Sequence, residues 1–223
     1  MLRENQQQMI AITADISGRS LGSIVRDVRP VIAGTVPPPG VRVELAGQYA
    51  SQQRAFRALL AVLALAALSV VAVMVLQFRS FIEPLVILLA APLSFVGALV
   101  LLLITGTPLN VASFMGLILL VGLIVKNGII LLDFTHRRMH EGLPLEEALC
   151  EAGKIRLRPI LMTTLCTLFG LLPLALGLGA GAQLQQPLAL AVIGGLALST
   201  PITLFIVPTL LVAVRGAKYK EIA

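Results

Sequence analysis

A single lysine, Lys126, interrupts the apolar run VASFMGLILLVGLIVKNGIILLDF, with Asn127 beside it and Asp133 seven residues further on. An amine in such a run can hold a proton, release one, or pair with a carboxylate, so its chemistry is that of charge compensation. A charge at the centre of a membrane-crossing helix costs roughly 2.5–3.5 kcal/mol on insertion scales, and such residues usually face a protein interior or an ion pathway. At ~1.5 Å rise per residue, Lys126 lies ~4 Å from the midpoint of residues 111–134 and ~11 Å from the nearer edge of a ~30 Å hydrocarbon core. Its side chain is too short to reach that edge.

Further side chains can join this chemistry. Arg156, Thr163 and Gly170 are spaced by seven, and Thr167 lies four beyond Thr163, which draws a polar stripe down one helix face. Two plainer roles stay open for these residues: threonines bond back to their own helix, and Arg156 marks a membrane edge. Ser199, Thr200 and Thr203 place further hydroxyls in a later span, where contacts between helices are the simpler role. Lys126 and Asp133 share nearly one face but are separated by ~10 Å of rise, too far for a direct pair. Asp133 reads equally well as a solvated anion beside Arg137 and Arg138. No Asp or Glu stands at the depth of Lys126 in this chain. Either Lys126 is buried neutral, its pKa lowered by desolvation, or a carboxylate from another segment or chain pairs with it. In the second case, protonating the partner acid would release the ammonium, which is the behaviour of a proton relay.

Metal and enzyme chemistry find little support. His136 and His140 are four apart, but Arg137 and Arg138 crowd them and no third ligand is close. Met74, Met115 and Met162 read as packing, and Cys150 and Cys166 lie on different elements. No phosphate-binding loop, nucleophile elbow or zinc-protease helix occurs, so no cofactor and no metal site are expected.

The elements that must position these residues follow from composition: 57% hydrophobic and 13% charged over 223 residues. That balance excludes an ordinary soluble domain and fits a mainly α, polytopic helical bundle in a lipid bilayer. Five spans are expected at about 58–77, 82–104, 111–135, 159–178 and 187–214. Arg79, Arg137, Arg138, Lys154, Arg156, Arg158, Arg215, Lys218 and Lys220 lie in links that alternate with the uncharged TGTPLN and GLGAGAQLQQ. The positive-inside rule therefore places the C-terminus inside and residues 1–57 outside. The net charge of +6 is thus a topology signal and gives nucleic-acid binding no support.

Outside the spans, MIAITADIS alternates like a half-buried strand. Ser20 can cap a helix carrying Leu21, Ile24, Val25, Val28 and Ile32, and VRVELAG alternates again after VPPPG. Residues 1–57 are thus expected to be a small β-α-β unit preceding the membrane domain of residues 58–223. It needs partner strands, and its export needs a preceding signal or span, so an upstream segment is expected. Residues 144–155, with Leu145, Leu149, Ala152 and Ile155 near one face, read as a separate surface helix on the cytoplasmic side.

The segments VGLIVKNGIILLDF, RLRPILMTTLCTLFGLLPLALGLGAG and QQPLALAVIGGLALST closely resemble the resistance-nodulation-division family of proton-driven efflux transporters. The resemblance spans essentially the whole chain, from a porter-subdomain end through the family's last five of twelve spans. It implies a C-terminal portion of a trimeric bacterial inner-membrane pump, working with a periplasmic adaptor and an outer-membrane channel. It implies that Lys126 is the relay lysine, with Asn127 beside it, and that Arg156 and Thr163 serve the same relay. The partner Asp pair lies on an N-terminal half absent from this sequence. Export of drugs or of metal cations is implied, LQQPLALAVIGG resembling heavy-metal branches and VKNGIILLDF the branches that export hydrophobic compounds. The alternative is a residual membrane fragment without independent transport, acting at most as a packing partner of complete pumps.

Overall fold

The computed structural model describes residues 2–4, 7–10, 12–13, 21–35, 37–38, 40–41, 43, 45 and 48–220. Two compact units divide the chain, Met1–Ala55 and Phe56–Ala223. Within the first, β1 (Leu2–Glu4) and β2 (Gln7–Met9) pair antiparallel, Leu2 opposite Met9, and α1 runs over Leu21–Gly34. The helix falls where its apolar periodicity places it.

The strands expected on either side of α1 do not appear among their described residues: Ile10, Ile12 and Thr13, then Val41, Val43 and Leu45, carry no pairing, and Ile10 and Ile12 are almost wholly exposed. Only Met9 of the first expected strand is extended and paired. A strand holds its shape through ladder bonds to a neighbour, and alternation alone supplies none. Ser20 and the rest of both predicted strands lie outside the described residues.

The second unit is helical. Among the described residues five helices are long and apolar enough to cross a membrane. They are built from α2 (Gln48–Phe78), α3 (Ile82–Ile104), α4 (Val111–His140), α5 (Leu145–Ala175), and α6 (Ala182–Pro201) continued through a π turn at Ile202–Ile206 into α7 (Val207–Lys220). Residues 145–155, expected as a separate surface helix, continue into the fourth span as one helix. Pro159 removes one backbone bond there without ending the helix, because Ala148, Leu149 and Ala152 are buried on one side of it and Ile160 on the other. Tertiary packing overrides the break that the proline invites.

The core lies where α3, α4 and α6 meet. Ile87, Ala98, Leu120, Ile124, Val192 and Leu196 are all nearly inaccessible there. Small residues set the spacing: a Cβ added at Gly97 would lie 2.5 Å from the Gly194 carbonyl oxygen, and one added at Gly194 equally close to the Gly97 oxygen. Two backbones thus touch, as glycines allow between membrane helices. On the α4 side, Gly116 meets the backbone of Leu188, and Gly128 receives the Ile87 side chain.

Local signals fix the ends of α4. Asn110 caps it, its side chain accepting from the Ser113 N–H at 2.9 Å while Ser113 Oγ accepts from the Asn110 N–H at 2.8 Å. At the other end Gly142, at φ 96°, takes the left-handed turn that lets Leu143 N–H reach the Arg138 carbonyl at 3.2 Å. The end of α5 is satisfied from α6, where Gln186 Nε2 donates to the Ala175 carbonyl at 2.9 Å.

A methyl group on the α3–α6 contact has nowhere to go. Gly194→Ala should destabilise the chain by about 1–3 kcal/mol, read as a lowered thermal midpoint in detergent. Gly122→Ala, at an open position, should leave it unchanged or raised.

Candidate functional site

Helix α4 has two unlike faces. Ser113, Gly116, Leu117, Leu120, Ile124, Asn127, Gly128, Leu131 and Thr135 point into the core, whereas Met115, Leu119, Gly122 and Lys126 recur at helical spacing on the uncovered side. Lys126 is therefore exposed, and its neighbour Asn127 is buried. The helices of this chain do not themselves cover Lys126. The reason is steric, since the glycines that bring α3 and α6 against α4 all lie on the opposite face.

Lys126 nevertheless borders a cleft of about 20 Å³ between α4, α5 and α6, lined by Leu123, Lys126, Asn127, Thr163, Thr164, Thr167 and Leu196. That is room for about one water. Four residues singled out in the sequence, Lys126, Asn127, Thr163 and Thr167, thus share one place. The threonines bond back to their own helix, Thr163 Oγ1 donating to the Ile160 carbonyl at 3.0 Å and Thr167 Oγ1 to the Thr163 carbonyl at 2.9 Å. Their oxygens keep acceptor capacity toward the cleft.

Arg156 and Asp133 stand apart from it. Two turns before Thr163, the Arg156 guanidinium stacks 5.0 Å from the centre of the Phe134 ring, and Arg138 approaches the same ring at 5.2 Å. The buried Nε of Arg156 has no hydrogen-bond partner among the described residues. Asp133 pairs with Arg137 at 3.2 Å, both partly exposed, so its surface-anion reading describes the contact seen. Arg138 also ties α4 to α5, reaching Glu141 at 2.7 Å and Glu151 at 2.8 Å.

The least expected pair is Glu83 with His136. Glu83 is 1% exposed, and His136 Nε2 hydrogen-bonds with its Oε1 at 2.9 Å while Phe78 packs edge-on against the imidazole at 5.3 Å. His136 is thereby committed to Glu83, and no group of three or more His, Cys, Asp or Glu that could hold a metal comes together among the described residues. Thr164 was also missed. It is the buried member of the Thr163–Thr164 pair, and its oxygen lies 3.3 Å from that of Thr200. Its one sequence signal was its place beside Thr163. Cys150 and Cys166 are both free and exposed.

Residues 1–215 match the model of the AcrB/AcrD/AcrF family. The chain belongs to the resistance-nodulation-division transporters. It is 35% identical over 209 residues to the nickel and cobalt resistance protein CnrA of Cupriavidus metallidurans, covering 93% of this chain and 19% of that protein. It is also 35% identical over 204 residues to the multidrug resistance protein MdtC of Proteus mirabilis, covering 91% and 20%. The crystal structure of a heavy metal efflux pump superposes with a TM-score of 0.79 at 34% identity, over 91% of this chain and 20% of that one. The chain thus spans about a fifth of the length of the relatives it matches. The family is one of transporters rather than enzymes.

Truncating the imidazole removes one hydrogen bond of a buried carboxyl group. His136→Ala should cost about 1–3 kcal/mol in detergent unfolding experiments, and His136→Asn, which keeps a donor, should cost less.

Proposed function

We propose that this chain is the C-terminal membrane portion of a proton-coupled efflux pump of the bacterial inner membrane, supplying the lysine side of its proton relay. One observation carries the reading: Lys126 is exposed on an apolar helix face, at mid-span, beside a cleft that also holds Asn127, Thr163 and Thr167. No Asp or Glu occurs in residues 45–82, 84–132 or 152–220, so no carboxylate of this chain can meet it at that depth. A bare ammonium facing lipid is costly, so another span must cover this face and bring an acid to it. Deprotonated, that acid holds the lysine by charge; protonated, it lets go. Asn127 and Thr163 orient the amine, Arg156 sets the field at one end, and Asp133 and Thr167 are accessory.

The family likeness supports the remainder. Residues 1–57 are the end of a periplasmic porter subdomain that completes its strands with other parts of the pump, and residues 58–223 belong to the membrane domain, its C-terminus cytoplasmic. The complete pump is a trimer working with a periplasmic adaptor and an outer-membrane channel. Its cargo is a metal cation or a hydrophobic drug, the two classes named for the relatives.

The uncovered apolar sides of α2 and α5, which include Leu65, Leu68, Leu76, Met162 and Phe169, favour a second reading for the chain on its own. In it, the chain is a packing partner of complete pumps without transport.

Lys126→Met in a complete pump carrying this segment should abolish export while leaving its amount and assembly unchanged; undiminished export would sink the relay assignment. Residues 1–223 expressed alone should give no proton-dependent efflux, and clear efflux would reject the packing-partner reading.

A further inference from the structure

Helix α5 has a second face, turned away from the Lys126 cleft. Thr163 and Thr167 line the cleft, and Arg156 lies 5.0 Å from the centre of the Phe134 ring of α4, so α4 and α6 occupy that side of the helix. Lys154, Arg158, Leu161, Leu165 and Leu172 recur at helical spacing on the side opposite Thr163. All five are exposed, Leu161, Leu165 and Leu172 at 40%, 48% and 43%.

This face has two unlike parts. At its head stand two cations one turn apart, and the nearby acids do not neutralise them. Glu151 is held by Arg138 at 2.8 Å, and Glu147, on the same face, lies ~10 Å of rise before Lys154. Neither Lys154 nor Arg158 has an ion-pair partner among the described residues. Below them no charged residue follows before the helix ends at Ala175. From Leu161 to Leu172 the helix rises ~16 Å, about half of a ~30 Å hydrocarbon core. The apolar stripe is therefore one leaflet long.

We infer that this face of α5 binds an anionic phospholipid, its phosphate held between Lys154 and Arg158 and its acyl chains lying along Leu161, Leu165 and Leu172. Arg158 supplies a planar fork that takes two phosphate oxygens, and Lys154 adds a point charge on a flexible stem one turn away. A partner span could cover the stripe, but it would leave both cations uncompensated unless it also carried acids at its end. An anionic lipid brings the negative charge and the apolar length in one molecule. The bound headgroup fixes the depth of α5, the helix that carries Thr163 and Thr167. The site goes beyond the relay and needs only that α5 is inserted in a bilayer.

The chain contains no tryptophan, so one introduced indole reports alone. Leu161→Trp in the full chain, placed in phosphatidylcholine vesicles with brominated phosphatidylglycerol or brominated phosphatidylcholine, reads the relative affinity for the two lipids through fluorescence quenching. Phosphatidylglycerol should be favoured about fivefold at low salt, and less at high salt. Leu103→Trp, at an 81% exposed position beside the uncharged TGTPLN, should give a ratio close to one. Lys154→Gln combined with Arg158→Gln should bring the Leu161→Trp reporter to that same ratio without moving the thermal midpoint, whereas Arg79→Gln, on the α2–α3 link, should not. A ratio of one in the parent overturns the site, and so does an equal fall in Arg79→Gln, which would mark a general attraction to positive charge. In a complete pump carrying this segment, a photoreactive phosphatidylglycerol should label residues 161–172, and the two glutamine substitutions should remove the label. No label in the parent pump would mean that a protein segment covers this face, and the site fails. Lys126→Met should leave the lipid preference intact while it stops export, so a failed relay and a failed lipid site are told apart.

Discussion

One positive charge at mid-depth on an apolar helix constrains the arrangement around it. Helix α4 must bury one face in the core and still leave Lys126 accessible to a compensating group, because neither lipid nor apolar packing can solvate an ammonium. The observed bundle does both. Close backbone contact at Gly97 and Gly194, with Gly116 and Gly128 receiving neighbours on α4, commits the opposite face of α4 to α3 and α6. The lysine side stays uncovered by the helices of this chain.

The remaining polar groups sort themselves by depth. At one end of α4, the charged and polar groups find partners within the chain, Glu83 with His136, Arg138 with Glu141 and Glu151, and two guanidinium groups over the Phe134 ring. Among the described residues, the polar groups that line the cleft with Lys126 are uncharged hydroxyls and an amide. Such groups can orient an amine or pass a proton without adding fixed charge to an apolar interior. The hydroxyls at Thr164 and Thr200 extend this uncharged polar zone across two helices.

Much of this was legible in the residues. Apolar run lengths located five spans, the 82–104 boundaries matching to the residue, and spacing put Thr163 and Thr167 on one helix face, which the structure turns toward Lys126. What escaped depended on long-range contact. Pro159 reads as a helix start, yet buried Ala148, Leu149 and Ala152 hold one helix through it. Glu83 and His136 lie 53 residues apart, and nothing local announces that one is enclosed by the other's helix. The side of α4 on which Lys126 falls followed from where its glycines meet neighbours, which periodicity in a wholly apolar helix cannot reveal. The strands around α1 failed for the reverse reason, their alternation being a local signal without a partner to realise it.

The uncovered α4 face must be an interface with another membrane segment if Lys126 is to find its acid. A nitroxide attached through Leu119→Cys, on the same face as Lys126 and 54% exposed in this chain, reports its surroundings through collisions with lipid-dissolved oxygen. In the isolated chain the label should collide freely; in the complete pump it should be shielded several-fold. Equal oxygen accessibility in the two states would contradict the claim that another span completes this site.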